Sequence, residues 1–366
     1  MHNQFQLSAY DYYLPGKSIA QHPAAKRDQS KLYVLDCKND RISHEKFASI
    51  TRLFRPGDVL VVNDTRVFPA RLPGRKQTGG RVEILLLHYP EILLAQRNSK
   101  GWYCVKASAL MKSSKKPKPN SLIIFGEFLQ ARVLQLFGNG QVQLELQYDL
   151  RQEKSLDNLF TLYGQMPLPP YIKRPSGTTT EDKERYQTEY AENPGSIAAP
   201  TAGLHFSDAL FHTIREQKVV ITTITLHVGY GTFAPVRTED IRSHQIHAEY
   251  IKISAETALT INEYRKYGSR IWAVGTTTAR TLEFAADNQG KLQPFQGLCD
   301  LFIYPGYRFK IVDNLITNFH LPRSSLLFLV AALAGRERIL QCYNDAVTRG
   351  YRFYSYGDAM ALITRP

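Results

Sequence analysis

Between Pro69 and Tyr148 the chain changes period, and that change limits the folds open to it. Residues 71–75, 78–81, 82–88, 102–107, 121–125, 131–137 and 142–148 alternate or turn as short strands do, with no helical repeat among them. Gly79-Gly80, Pro117-Lys-Pro119-Asn120 and Gly138-Asn-Gly140 break the runs where turns are needed. Some six short strands at near-regular spacing predict a small antiparallel barrel. Helix and strand patterns alternate on both sides of it. The expected fold class is therefore α/β, a three-layer main domain with an inserted antiparallel β-barrel. The implied boundaries are 70–155 for the barrel, and 1–69 with 156–366 for one discontinuous α/β domain.

A chain of 366 residues suits two such domains. Its charge is unevenly placed. Residues 70–155 hold 14 basic and 6 acidic side chains, so this segment carries +8 of the total +13. Lys112, Lys115, Lys116 and Lys118 fall on what reads as one loop of it. Such a face attracts polyanions and commonly marks nucleic-acid binding, although a solvated lysine surface has the same composition. No apolar run is long enough to span a bilayer, and residues 1–9 do not read as a signal peptide. Cys37, Cys104, Cys299 and Cys342 are far apart and fit reduced thiols. A cytoplasmic location is expected, with no membrane association, and no feature marks an obligate protein partner.

In the α/β part, Val59-Leu-Val-Val62 reads as an inner strand ending in Asn63-Asp64-Thr-Arg66-Val67. A helix is expected around 44–54, an exposed loop over 176–185, and strands at 219–226, 246–253, 270–274, 301–304, 315–317 and 351–356. Four histidines, His205, His227, His244 and His247, crowd the loops between 198 and 250. Thr276, Thr277 and Thr278 lie between a strand and a helix expected over 279–286, where hydroxyls and free amides can hold an anion. Asp64, Arg66, His227, the threonines, Asn318, His320 and Asp358 all fall near expected strand ends. In an open sheet those points share one edge and converge on one pocket. In the strand 246–253, His247 and Glu249 would share a face and suit proton transfer.

Other chemistries lack their signatures. Gly229-Tyr-Gly231 has no third glycine and no following helix, and no phosphate-binding Gly-x-x-x-x-Gly-Lys loop occurs. His244-x-x-His247-x-Glu249 matches no zinc hydrolase spacing, so no metal is expected. The residues alone suggest a metal-free enzyme acting on a nucleic acid with a small co-substrate. Two rival readings stay open: a base-exchanging transglycosylase or similar transferase, and a non-catalytic RNA-binding protein.

Long words carry a resemblance as well. They are Asn63-Asp-Thr-Arg-Val67, Ala199-Pro-Thr-Ala-Gly-Leu-His-Phe206, Leu226-His-Val-Gly-Tyr-Gly-Thr-Phe-Ala-Pro-Val236, Phe302-Ile-Tyr-Pro-Gly306, Thr317-Asn-Phe-His-Leu-Pro322 and Tyr351-Arg-Phe-Tyr-Ser-Tyr-Gly-Asp358. With Arg280 and Glu283 after Ala273-Val-Gly-Thr-Thr277, they resemble the S-adenosylmethionine:tRNA ribosyltransferase-isomerase family of queuosine biosynthesis. Departures are mild: Ile246 stands where methionine is common, and Ser325 and Phe328 replace a usual threonine and methionine. The resemblance implies transfer and isomerisation of the ribosyl group of S-adenosylmethionine onto 7-aminomethyl-7-deazaguanine (preQ1) at the tRNA wobble position. Epoxyqueuosine-tRNA, adenine and methionine would be the products. The partners implied are tRNA carrying that base and S-adenosylmethionine as co-substrate, with no further cofactor. Against that chemistry we read His247, Glu249, His205, His320 and Asp358 as candidate catalytic groups. Asp64, Arg66, His227, Thr276 to Thr278, Arg280 and Asn318 are candidate substrate contacts, and the four lysines candidate tRNA contacts.

Overall fold

The computed structural model describes residues 4–91, 94–151, 155–175, 177–233 and 235–365. Four strands come first: β1 (Lys31–Asp36), β2 (Arg41–Lys46), β3 (Val59–Asn63) and β4 (Thr65–Val67). Then come β5 (Arg71–Lys76), β6 (Arg81–Leu86), β7 (Gln96–Arg97), β8 (Tyr103–Ser113), β9 (Leu122–Ile124), β10 (Leu129–Leu136) and β11 (Gln141–Tyr148). After them run α1 (Leu156–Tyr163), α2 (Thr180–Arg185), β12 (Asn193–Ser196), α3 (Asp208–Glu216), β13 (Val220–Leu226), β14 (Glu249–Ile253) and α4 (Ala255–Lys266). The remainder is β15 (Ile271–Val274), α5 (Thr276–Ala285), β16 (Phe295–Cys299), β17 (Asn314–Asn318), α6 (Ser325–Ala334), α7 (Arg336–Thr348) and β18 (Ala359–Ile363).

Strands β5 to β11 form one antiparallel sheet in the order β11-β10-β9-β5-β6-β8-β7, and the pairing of β11 with β8 closes six of them into a barrel. Alternate residues such as Leu72, Ile84, Val105, Ile123, Val133 and Leu144 point inward to form its core, and Leu156, Leu159 and Phe160 of α1 join them. Closure leaves no free edge among the six.

The nine-stranded sheet has the order β16-β14-β13-β3-β15-β17-β18-β1-β2. β3 pairs with β13 and β15, both parallel, and every residue of it is buried. Period-two alternation then splits the sheet between two cores. Val59, Val61 and Ala273 pack with α4 to α7, whereas Leu60, Val62 and Trp272 pack with α3 and Phe47. The result is the expected three layers.

Several local expectations give way. Residues 41–46 are not helical but a polar edge strand on β1, and only 47–53 turn, as 3-10 helix. An exposed edge needs backbone pairing rather than an apolar stripe, so the pattern hid it. The expected loop 176–185 contains α2, fixed by a capping box between Thr179 and Asp182. The apolar residues 301–304 form no strand; the carbonyl of Leu301 accepts from Arg280 Nε (3.0 Å) instead of from a neighbouring strand. Nor do 351–356: Phe353 makes one isolated bridge to Ile19, and Tyr354 turns the chain at φ +75°. β14 starts only at Glu249, and α5 takes in the threonines as its first turn.

Candidate active site

β13, β3, β15 and β17 finish at one edge of the sheet, and the antiparallel β18 starts there. The turns leaving the parallel strands are thereby drawn together, as at the carboxyl end of open α/β sheets. Asn63 ties two of them: its Nδ2 donates to Leu226 O (3.0 Å) and to Thr277 Oγ1 (3.3 Å). α5 begins after Gly275, whose φ of +88° suits glycine, and no side chain caps the amides of its first turn. Those amides and the positive end of the helix dipole are left for a ligand.

A cleft opens onto this edge in two compartments that share Thr232 and Leu326. The first is lined by Thr201, Thr276, Thr277, Asn318 and His320, and by Tyr171, Tyr186 and Tyr354. The second is lined by His244, His247, Glu249, Arg280 and Phe302.

Its polar walls are held by hydrogen bonds reaching far along the chain. Asn318 Nδ2 donates to His205 Nε2 (3.1 Å), the other ring nitrogen meets Ser30 Oγ (2.7 Å), and Thr201 Oγ1 donates to Asn318 Oδ1 (2.9 Å). His205 thus positions two cleft residues without lining the cleft itself. Burial pulls its pKa down to about 4, with Asp358 opposing, so the ring is neutral near pH 7. His320 lines the first compartment, pairs with Thr317 Oγ1 (3.0 Å), and burial takes its pKa to about 3. His227 stands behind the wall. Its Nδ1 meets Thr65 Oγ1 (2.8 Å), its ring stacks on Tyr250, and burial lowers its pKa to about 4.

Glu249 is the anchor of the second compartment. One oxygen accepts from Arg280 Nη1 (2.5 Å); the other accepts from Gly229 N–H (2.9 Å) and Thr232 Oγ1 (3.2 Å). The expected strand relation to His247 does not exist, since His247 precedes β14. The two still meet across the 229–232 turn: a Cβ on Gly231 would lie 2.5 Å from His247 Cδ2, and one on Gly229 3.9 Å from Glu249 Oε1. Only glycine at 231 leaves His247 its place.

Other expected residues are placed elsewhere. Thr278 is buried and its hydroxyl donates to Val274 O (2.7 Å), so it turns away from the cleft. Arg280 is not a free anion site, because Glu249 neutralises it. Asp358 accepts from the Lys31 and Arg352 amides and pairs with the Arg352 guanidinium (2.9 Å), which fixes a turn outside the cleft lining. Asp64 is buried and accepts from Thr225 Oγ1 (2.7 Å), and Arg66 points to solvent on β4. Lys112, Lys115, Lys116 and Lys118 are exposed on the barrel, but Lys112 lies on β8 rather than in the loop. Among the described residues no group of three His, Cys, Asp or Glu could hold a metal ion, and no helix is long and apolar enough to cross a membrane. Thr201 and the three tyrosines were missed; Thr201 and Tyr354 sit inside the long words quoted above, whereas Tyr171 and Tyr186 lie outside them.

Known proteins resemble this chain along its whole length. A family model described as queuosine biosynthesis protein matches residues 7–362. The chain is 49% identical over 365 residues to the S-adenosylmethionine:tRNA ribosyltransferase-isomerase of Desulfotalea psychrophila, covering 100% of this chain and 99% of the relative. It is 51% identical over 355 residues to the protein of the same name from Geotalea uraniireducens, covering 97% and 99%. The chain belongs to the queuosine biosynthesis protein family. The crystal structure of a family member, S-adenosylmethionine tRNA ribosyltransferase from Thermotoga maritima, is similar at 33% identity and a TM-score of 0.52, covering 97% of this chain and 100% of that one. The family match takes in the barrel as well as the sheet.

Proposed function

We propose that the chain acts as an S-adenosylmethionine:tRNA ribosyltransferase-isomerase. It moves and rearranges the ribosyl group of S-adenosylmethionine onto preQ1 at the tRNA wobble position, releasing adenine and methionine. The observation that carries this reading is the end-to-end identity of 49% to a relative of that name. The cleft supports it. The uncapped start of α5, with Thr276 and Thr277, suits the methionine carboxylate, and the adjoining compartment places His247 beside the Glu249–Arg280 pair.

The sulfonium acidifies the C5′ hydrogens, so a base held near the sulfur can begin the reaction. His247 is the candidate for that base. Glu249 keeps Arg280 neutralised and holds the 229–232 turn against His247, which is a positioning role. The exposed lysines of the barrel, with Arg75, Lys76 and Arg81 along an open groove beside Lys112, suit the tRNA backbone.

The test is incubation with S-adenosylmethionine and preQ1-bearing tRNA, followed by mass analysis of the wobble nucleoside. Epoxyqueuosine with one adenine and one methionine per turnover is expected. His247→Ala is expected to bind tRNA normally and to lose roughly 10²-fold or more in turnover. Base exchange without methionine release would replace this reading with a transglycosylase.

A further inference from the structure

Three tyrosines crowd one end of the first compartment. Tyr171 and Tyr354 stand edge to face with ring centroids 3.9 Å apart, and the Tyr171 hydroxyl shares a 2.5 Å hydrogen bond with Ser355 Oγ. Tyr354 holds φ at +75°, a conformation that is strained for any residue with a Cβ. Its N–H donates to Phe319 O (3.1 Å) and its carbonyl accepts from Gly357 N–H (2.9 Å), so the turn fixes the ring at the cavity wall. Strain kept in place at a cavity wall points to use.

Tyr186 supplies the second observation. Its side chain is fully buried, it lines the same compartment, and its hydroxyl has no hydrogen-bond partner of good geometry. Ser355 and the Ala199 amide lie near it, but Ser355 is already bonded to Tyr171. Burial holds the proton on the phenol well above its ordinary pKa, so the group is a donor lacking an acceptor. Buried donors are nearly always paired, and one without an acceptor on a residue that lines a cavity points to a ligand there.

The same compartment is also lined by the start of α5, suited to a carboxylate. A molecule with a flat heteroaromatic ring at one end and a carboxylate at the other fits both. S-adenosylmethionine is such a molecule. We propose that Tyr171, Tyr186 and Tyr354 form the purine subsite for this co-substrate. The ring lies against the Tyr171 and Tyr354 wall, and the Tyr186 hydroxyl donates a hydrogen bond to a ring nitrogen. This assignment rests on the function proposed above. The flat base of the tRNA is placed instead at the second compartment, beside His247.

The test measures displacement of S-adenosylmethionine by adenine and by 1-, 3- and 7-deazaadenine, for the wild-type protein and for Tyr186→Phe. One deaza compound is expected to bind the wild type about tenfold more weakly than adenine, the scale of one lost hydrogen bond. Tyr186→Phe is expected to bind adenine about tenfold more weakly and to treat that compound and adenine alike, with tRNA affinity unchanged. Tyr354→Gly, which suits the left-handed backbone, is expected to weaken adenine binding while the protein stays folded. Wild-type adenine affinity in Tyr186→Phe would overturn the subsite, as would a change confined to tRNA-base discrimination. Wild-type protein that turns over both substrates yet binds all three deaza compounds as well as adenine would remove the subsite alone. Absence of any wild-type turnover would remove the proposed function and the subsite with it.

Discussion

The two edges of the nine-stranded sheet carry similar polar groups to different ends. Where β3 and β15 start, Asp58 accepts from Arg270 Nη2 (2.5 Å) and Nε (3.0 Å), from Trp272 Nε1 (3.1 Å) and from the Arg55 amide (2.9 Å). Asp313 takes the Ile271 amide (2.8 Å), and Asn314 Oδ1 takes those of Thr364 and Arg365 (3.0 and 3.1 Å). Where the same strands finish there is again a buried arginine–carboxylate pair, Arg280 with Glu249. Here, however, the carboxylate also holds a turn that lines a cleft, and Thr276, Thr277 and Tyr186 line that cleft too. A buried ion pair therefore does not by itself mark a site. What marks it is a cavity lined by polar groups next to the pair.

Breaking both pairs separates the edges most strongly. Asp58→Asn and Glu249→Gln each strand a buried guanidinium, and each is expected to lower stability by about 3–5 kcal/mol in denaturant titrations. Turnover per folded molecule is expected to be normal for Asp58→Asn and reduced roughly 10²-fold for Glu249→Gln. Equal turnover in the two variants would end the distinction.

Acid distinguishes the edges next. His205, His227 and His320 all lie at the finishing edge, and their folded pKa values are depressed from 6.5 to about 4, 4 and 3. With a folded value below the unfolded one, the unfolded chain takes up protons first as pH falls. The stability they contribute is full above pH 6.5 and is lost as pH drops toward the folded values. Each is expected to contribute on the order of 3 kcal/mol to that loss, measured as the change in unfolding free energy between pH 7 and 4. A flat profile, or one unchanged in His205→Gln, would remove the neutral imidazoles from this picture.

The smallest effects sharpen it. Thr276→Val combined with Thr277→Val is expected to raise the KM for S-adenosylmethionine about tenfold with little change in stability. Asn314→Leu, at the starting edge, is expected to cost about 1–3 kcal/mol of stability and to leave KM alone. Exchange of those two outcomes would mean that the cleft had been assigned to the wrong edge.

Much of this was legible in the sequence, and the rest was hidden for identifiable reasons. The barrel strands and β3 announce themselves because period-two alternation and an all-apolar run are local signals. β2 was hidden because a polar edge strand is specified by its neighbour, β1, and not by its own composition. For the site, strand ends foretold the convergence of Thr276, Thr277, Asn318 and His320 on one cavity. They could not show which hydroxyls face it: Thr278 turns back on Val274, a matter of helical phase. Nor could they show that Arg280 is neutralised by Glu249, 31 residues earlier, since partners across a fold leave no local mark. Tyr186 and Tyr354 look like core aromatics until a missing hydrogen bond and a positive φ single them out.

The place of β18 has a consequence for how the molecule is made. β18 lies inside the sheet, parallel to β1 on one side and antiparallel to β17 on the other. During synthesis β1 and β2 leave the ribosome early and have no seat in the sheet until β18 follows. The barrel strands, by contrast, are contiguous between Arg71 and Tyr148 and can close while the chain is still growing. The nascent protein thus carries a finished barrel beside an unfinished sheet, with the apolar faces of β1 and β3 uncovered. That interval is when it is most exposed to aggregation.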